Sequence, residues 1–125
     1  MLLHQETTDL ILNCFYTVYN KLRFGFLEKV YENFLIIEIT NAGLKCQQQF
    51  SIPVLYDKKV VGNYFADLFV DNKILIELKA AESIVREHEL QLTNYLKATN
   101  IEVGLLLNFG KKPEFKRRIF TNDYK

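Results

Sequence analysis

There is no tryptophan in this chain, and it has only one methionine, two prolines, two histidines and two cysteines. Each scarcity removes a class of function. Cys14 and Cys46 are too few and too far apart in sequence for a disulfide framework or a zinc site. They are expected to be reduced thiols of a cytoplasmic protein. His4 and His88 supply no metal-ligand spacing. No internal repeat and no Pro/Gly/Ser linker divides the chain. No apolar run approaches the roughly 18 residues of a membrane span. The opening MLLHQETTDL sets Glu6 and Asp9 beside a short apolar pair, unlike a signal peptide. The formal net charge is +1, so no overall polycation announces a nucleic-acid partner. A polyanion would have to be met by locally grouped cations.

What is present reads as one globular domain, residues 1–125, long enough for a real core. Leu10, Ile11, Cys14, Phe15, Val18, Tyr19 and Leu22 follow the rhythm of an amphipathic helix over 5–22. Thr7 or Thr8 is expected to cap it. Gly25 breaks the pattern. A second helix is predicted over 27–41, with Leu27, Val30, Tyr31, Phe34 and Leu35 on one face. Ile36, Ile37 and Ile39 widen the apolar surface until the helix is apolar nearly all round, as for a centrally packed one. Gly43 is placed to end it.

Strands are predicted from about Gln48 past Pro53, from Val60 to Val70 with a bulge at Gly62, and from Ile74 to Ala80. Glu82-Ser83 is expected to open a third helix over 84–97. Glu102 to Phe109 reads as an interior strand, and Glu114 to Phe120 as a short basic one. The order is α-α-β-β-β-α-β-β, and the fold class is α/β: a mixed sheet with helices on both faces.

The stretch that stands out is DLFVDNKILIELK, Asp67 to Lys79. Buried strands seldom carry two acids and a lysine, because each unpaired charge costs several kcal/mol to desolvate. A partly exposed strand with a solvated face would also explain it. Glu77 and Lys79 share a face by the period of two. Asp67 joins them only if the turn at Asp71-Asn72-Lys73 has three residues or a bulge. A plain two-residue turn puts Asp67 on the other side. Carboxylates beside a lysine suit a hard divalent cation. Such a site can drive metal-assisted phosphodiester hydrolysis.

Asp67, Glu77 and Lys79 in a hairpin flanked by helices resemble the core motif of the PD-(D/E)XK, or restriction-endonuclease-like, phosphodiesterase superfamily. Ala66 stands where a proline is often found. Gly25-Phe26-Leu27-Glu28-Lys29-Val30-Tyr31 resembles the signature of its small bacterial GxxExxY family. Gln91-Leu92-Thr93-Asn94-Tyr95 resembles the Q-x-x-x-Y motif of the exonuclease-like branch. Asn94 to Thr99 and Val103 to Gly110 are similar to the same family.

The resemblance covers roughly residues 10 to 120 and implies a Mg²⁺- or Mn²⁺-dependent nuclease, with DNA the expected substrate. Asp67 and Glu77 would be the main metal ligands, helped by Glu28 and by the Leu78 carbonyl. Lys79 would handle the attacking water or the phosphate. Gln91 and Tyr95 would contact Lys79 or the substrate. Glu32 is the fallback for Glu28, Tyr31 is expected in the core, and His88 is expected to be a solvated histidine. Lys111, Lys112, Lys116, Arg117 and Arg118 would grip phosphates, or else form a solubilising edge. The competing readings are a nucleic-acid- or protein-binding module that keeps the fold without turnover, and a hydrolase of another phosphate ester. A homodimer would enlarge the footprint of so small a chain.

Overall fold

In a computed structural model, which describes residues 3–125, the elements follow in the expected order. They are α1 (Gln5–Leu22), α2 (Glu28–Asn41), β1 (Cys46–Tyr56), β2 (Lys59–Val70), β3 (Ile74–Lys79), α3 (Arg86–Lys97), β4 (Val103–Phe109) and β5 (Pro113–Ile119). A short 3-10 turn at Asn122–Tyr124 follows. The five strands form one sheet in the order β1-β2-β3-β4-β5. Every neighbouring pair is antiparallel except β3 and β4, which are parallel. That parallel step is the one joined through α3, as parallel neighbours require a crossover.

Two apolar clusters cover the two faces. On one side Ile11, Phe15 and Val18 of α1 and Tyr31, Leu35 and Ile39 of α2 pack on Ile74, Ile76 and Leu78 of β3. On the other, Tyr95 and Leu96 of α3 pack on Leu75 and Phe69. β3 and β4 are therefore covered on both sides. β3 is buried from Ile74 to Leu78, and β4 along its whole length.

Several local expectations are corrected. Thr7 and Thr8 lie inside α1, both buried, and His4 stands at its cap position without a side-chain bond. α2 is not covered all round. Leu27 precedes it and is 80% exposed, and Ile37 is 57% exposed: the helix buries Tyr31, Glu32, Leu35 and Ile39 against α1 and the sheet and leaves its other side in solvent. α3 begins at Arg86 rather than Ile84. Gly43 does end α2: at φ 89° it lets the Leu44 N–H reach the Ile39 carbonyl at 3.2 Å. The bulge predicted at Gly62 falls beside it, where the register shifts after Val54. Both cysteines are free. No helix among the described residues is long and apolar enough to cross a membrane.

Candidate active site

The β2–β3 turn sets the register. Asp71 and Asn72 are both left-handed, at φ 53° and 55°, and the Lys73 N–H reaches the Val70 carbonyl at 3.0 Å. Lys73 is then an extra residue. Pairing resumes as Val70↔Ile74, Phe69↔Leu75 and Leu68↔Ile76. One step further this register brings Asp67 opposite Glu77. The turn itself is held by Lys45, whose N–H donates to Asp71 Oδ1 at 3.0 Å.

At Asp67 the main-chain ladder stops and side chains replace it. The Asp67 N–H donates to Glu77 Oε1 at 3.0 Å, and the Leu78 N–H donates to Asp67 Oδ2 at 2.8 Å. Each acid thus binds the backbone of the opposite strand, and the two carboxylates are held close together. Burial pushes the Glu77 carboxyl up to about 8, and the Asp67 charge adds to this. The Asp67 N–H and Lys79 pull it back. Asp67 is also raised, first by burial, then by Glu32 and Glu28, against the Leu78 N–H and Gln49. Lys79 is half-buried at the end of β3 and takes no part in the three ion pairs found among the described residues.

The loop before α2 delivers the other acids. Gly25 takes φ 110°, a conformation that glycine adopts at no steric cost. Tyr31 is fully buried and fastens this loop. Its hydroxyl donates to the Arg23 carbonyl at 2.6 Å and accepts the Phe26 N–H at 3.2 Å. Its ring stacks on Phe109 at 4.2 Å. Glu28, exposed in the first turn, acts on both Asp67 and Glu77. Glu32, one turn later, is buried. It accepts from Lys29, Gln48 and Gln49, and it acts on Asp67 but is not among the groups that shift Glu77.

α3 adds Gln91 and Tyr95. Gln91 Nε2 donates to Tyr95 Oη at 2.7 Å, which leaves the Tyr95 O–H free to donate. Burial and the Glu77 charge push Tyr95 up to about 12. Both line a cleft of about 930 Å³ between α3 and the outer part of the β1–β2 hairpin. Asp67, Glu77 and Lys79 stand beside this cleft rather than in its lining, so chemistry and not volume marks the site. His88 is half-buried, and its Nδ1 accepts the Val85 N–H at the start of α3.

The basic cluster divides. Arg118 pairs with Glu89 of α3, and Arg117 donates to the Leu3 carbonyl. Lys116 is exposed on β5. Lys111 and Lys112 are exposed on the β4–β5 turn. Lys111 lines a small cleft with Ala80 and Ala81, which directly follow Lys79. Tyr19 ties this turn to α1 through the Gly110 and Lys111 carbonyls, at 2.9 and 2.6 Å. Asn108, fully buried, closes the same end of the sheet by bonding both the N–H and the carbonyl of Ala81. A Cβ on Gly110 would lie 2.5 Å from that carbonyl.

Among the described residues no group of three His, Cys, Asp or Glu side chains converges to metal-holding distance. Asp67 and Glu77 converge as a pair, with Glu28 further out. The pair still fits a hard divalent cation, since Mg²⁺ commonly takes one or two carboxylates and completes its shell with waters. The raised Glu77 carboxyl points the same way. A buried acid, a half-buried one and a single lysine leave a negative site that a proton or a cation must neutralise.

The chain matches the family model of the PD-(D/E)XK nuclease superfamily over residues 5–118. Among solved structures it is similar to one described as the crystal structure of SSO0001, with a TM-score of 0.56 and 20% identity. The match covers 75% of this chain and 50% of the other, so this chain spans about half the length of that protein. No curated protein matches it.

Proposed function

We propose, from the premise that the chain belongs to the PD-(D/E)XK nuclease superfamily, that it is a metal-dependent phosphodiesterase cutting DNA, of the GxxExxY branch. The observation that carries this reading is the crossed pair of hydrogen bonds between Asp67 and the Glu77-Leu78 segment at the end of the β2–β3 ladder.

Asp67 and Glu77 are the residues that would hold Mg²⁺ or Mn²⁺, with the Leu78 carbonyl and a water held by Glu28 filling further positions. A bound ion would lower the pKa of a water and offset charge on the scissile phosphate. Lys79 orients that water or takes up negative charge as it develops on the phosphate. Gln91 fixes the Tyr95 hydroxyl, which donates to the substrate backbone. Lys111 and Lys112 meet phosphates at the Lys79 end of the site, while Lys116, Arg117 and Arg118 lie further along β5.

Lys79 favours turnover over a silent binding module, because it is not locked in an ion pair. The test is cleavage of linear, circular, single-stranded and branched DNA and of RNA, with Mg²⁺ or Mn²⁺. Asp67→Asn and Lys79→Ala proteins run beside the wild type. Cutting by the wild type alone supports the reading. Binding without cutting by all three makes the chain a binding module.

A further inference from the structure

The sheet breaks on both sides of Asp67. On β1 the pairs run as far as Gln48↔Leu68 and resume at Phe50↔Ala66. The residue opposite Asp67 is Gln49, and it makes no pair. Its φ is 53°, a region sparsely used by residues other than glycine and often found at functional sites.

In a regular strand Gln48 and Gln49 would point to opposite faces. Here both reach one carboxylate. Gln48 Nε2 donates to Glu32 Oε2 at 2.5 Å, and Gln49 Nε2 lies 3.3 and 3.4 Å from the two Glu32 oxygens. The core records the same change of face. Cys46 and Leu68 pack with the α1–α2 cluster, whereas Phe50, Ile52 and Ala66 pack with the α3 cluster. Gln49 stands opposite Asp67 in the register, close enough that its amide favours the charged form of Asp67. A primary amide has two N–H hydrogens, so one neutral group can serve two carboxylates that repel each other.

We propose that Gln49 is a positioning residue: its left-handed backbone turns a neutral amide between Glu32 and Asp67, and so holds the Asp67 carboxylate in place beside Glu77 for a divalent cation. The assignment rests on the metal-dependent reading above. Glu32 is then the buried anchor of the amide rather than a ligand. A kink serving only to re-aim the hairpin would need the left-handed backbone but not the amide.

Gln49→Gly separates the two. Glycine accepts φ 53° freely, so the melting temperature should equal or exceed that of the wild type. Mn²⁺ affinity, measured by calorimetry without substrate, should fall about 10- to 100-fold, the usual loss when a group that orients a metal ligand is removed. Cleavage should fall with it. Gln49→Asn, which tolerates the left-handed region and keeps an amide one methylene shorter, should be folded and bind Mn²⁺ more weakly than wild type. Unchanged Mn²⁺ affinity in a folded Gly or Asn protein overturns the role of Gln49 and leaves the phosphodiesterase reading standing. A wild-type protein that binds no Mn²⁺ overturns both.

Discussion

The Asp67 N–H donates to the Glu77 carboxylate at 3.0 Å, while the Leu78 N–H donates to the Asp67 carboxylate at 2.8 Å. Where the ladder ends, side-chain carboxylates take up two main-chain N–H groups. The strands can therefore part without leaving those N–H groups unpaired in a buried place, where each would cost about 1–3 kcal/mol. The acids come together because the sheet opens there.

This closeness makes stability depend on pH. Burial and the Asp67 charge raise Glu77 from its ordinary 4.5 to about 8. Between those values the folded protein holds a proton that the unfolded chain has released. Without metal, stability is therefore greatest below about 4.5 with respect to this group, and falls as pH rises through about 8. Melting of the metal-free protein should reflect this loss between pH 6 and 8.5. Glu77→Gln should flatten that dependence and raise stability at pH 8 by more than ~1.4 kcal/mol, the equivalent of one pKa unit. Mn²⁺ should stabilise the wild type more at pH 8 than at pH 6, because it must displace the proton. A melting temperature independent of pH and of Mn²⁺ would contradict the arrangement.

Tyr31 links the core to the acids of α2. Tyr31→Phe keeps the ring on Phe109 and removes the bonds to Arg23 and Phe26. The expected cost is about 1–3 kcal/mol in urea unfolding. Cleavage under conditions where the protein is fully folded should also drop, because that loop sets where α2, and with it Glu28, begins. Unchanged activity would separate Glu28 from the site.

The division of the basic residues gives a third expectation. Lys111→Ala with Lys112→Ala should weaken DNA binding at low salt. The slope of log affinity against log salt should become shallower by about one for each phosphate that is no longer neutralised. Arg118→Ala should act mainly on stability, through its pair with Glu89. Equal salt slopes for wild type and the double lysine variant would remove the turn from the interface.

Much of this was legible in the sequence. The order of elements follows from a period of 3.6 or 2 in the apolar residues, and β4 from its almost wholly apolar text. The register at Asp71-Asn72-Lys73 was one of two that the residues allowed, and the extra residue at Lys73 decides it. The motif residues Gly25, Tyr31 and Asn108 turn out to have structural tasks that spacing alone does not reveal. What stayed hidden depends on partners distant in the chain. Gln49 is turned by Glu32, 17 residues earlier, and nothing local marks it except three glutamines in a row. Arg118 is taken up by α3, and Leu27, just ahead of α2, is left in solvent. Two acceptable caps, Thr7 and Thr8, were drawn into the helix because their positions face α1's buried side.

We propose that Asp67, Glu77 and Lys79 form one metal-dependent cutting site. Its most direct test is Mn²⁺-dependent cleavage of DNA by wild type and Lys79→Ala preparations matched for melting temperature, with a chelator control. Cutting by the wild type should be abolished by the chelator and should fall about 10²-fold or more in the Lys79→Ala protein. Equal cutting by both proteins, or none by the wild type on any substrate, would contradict the proposal.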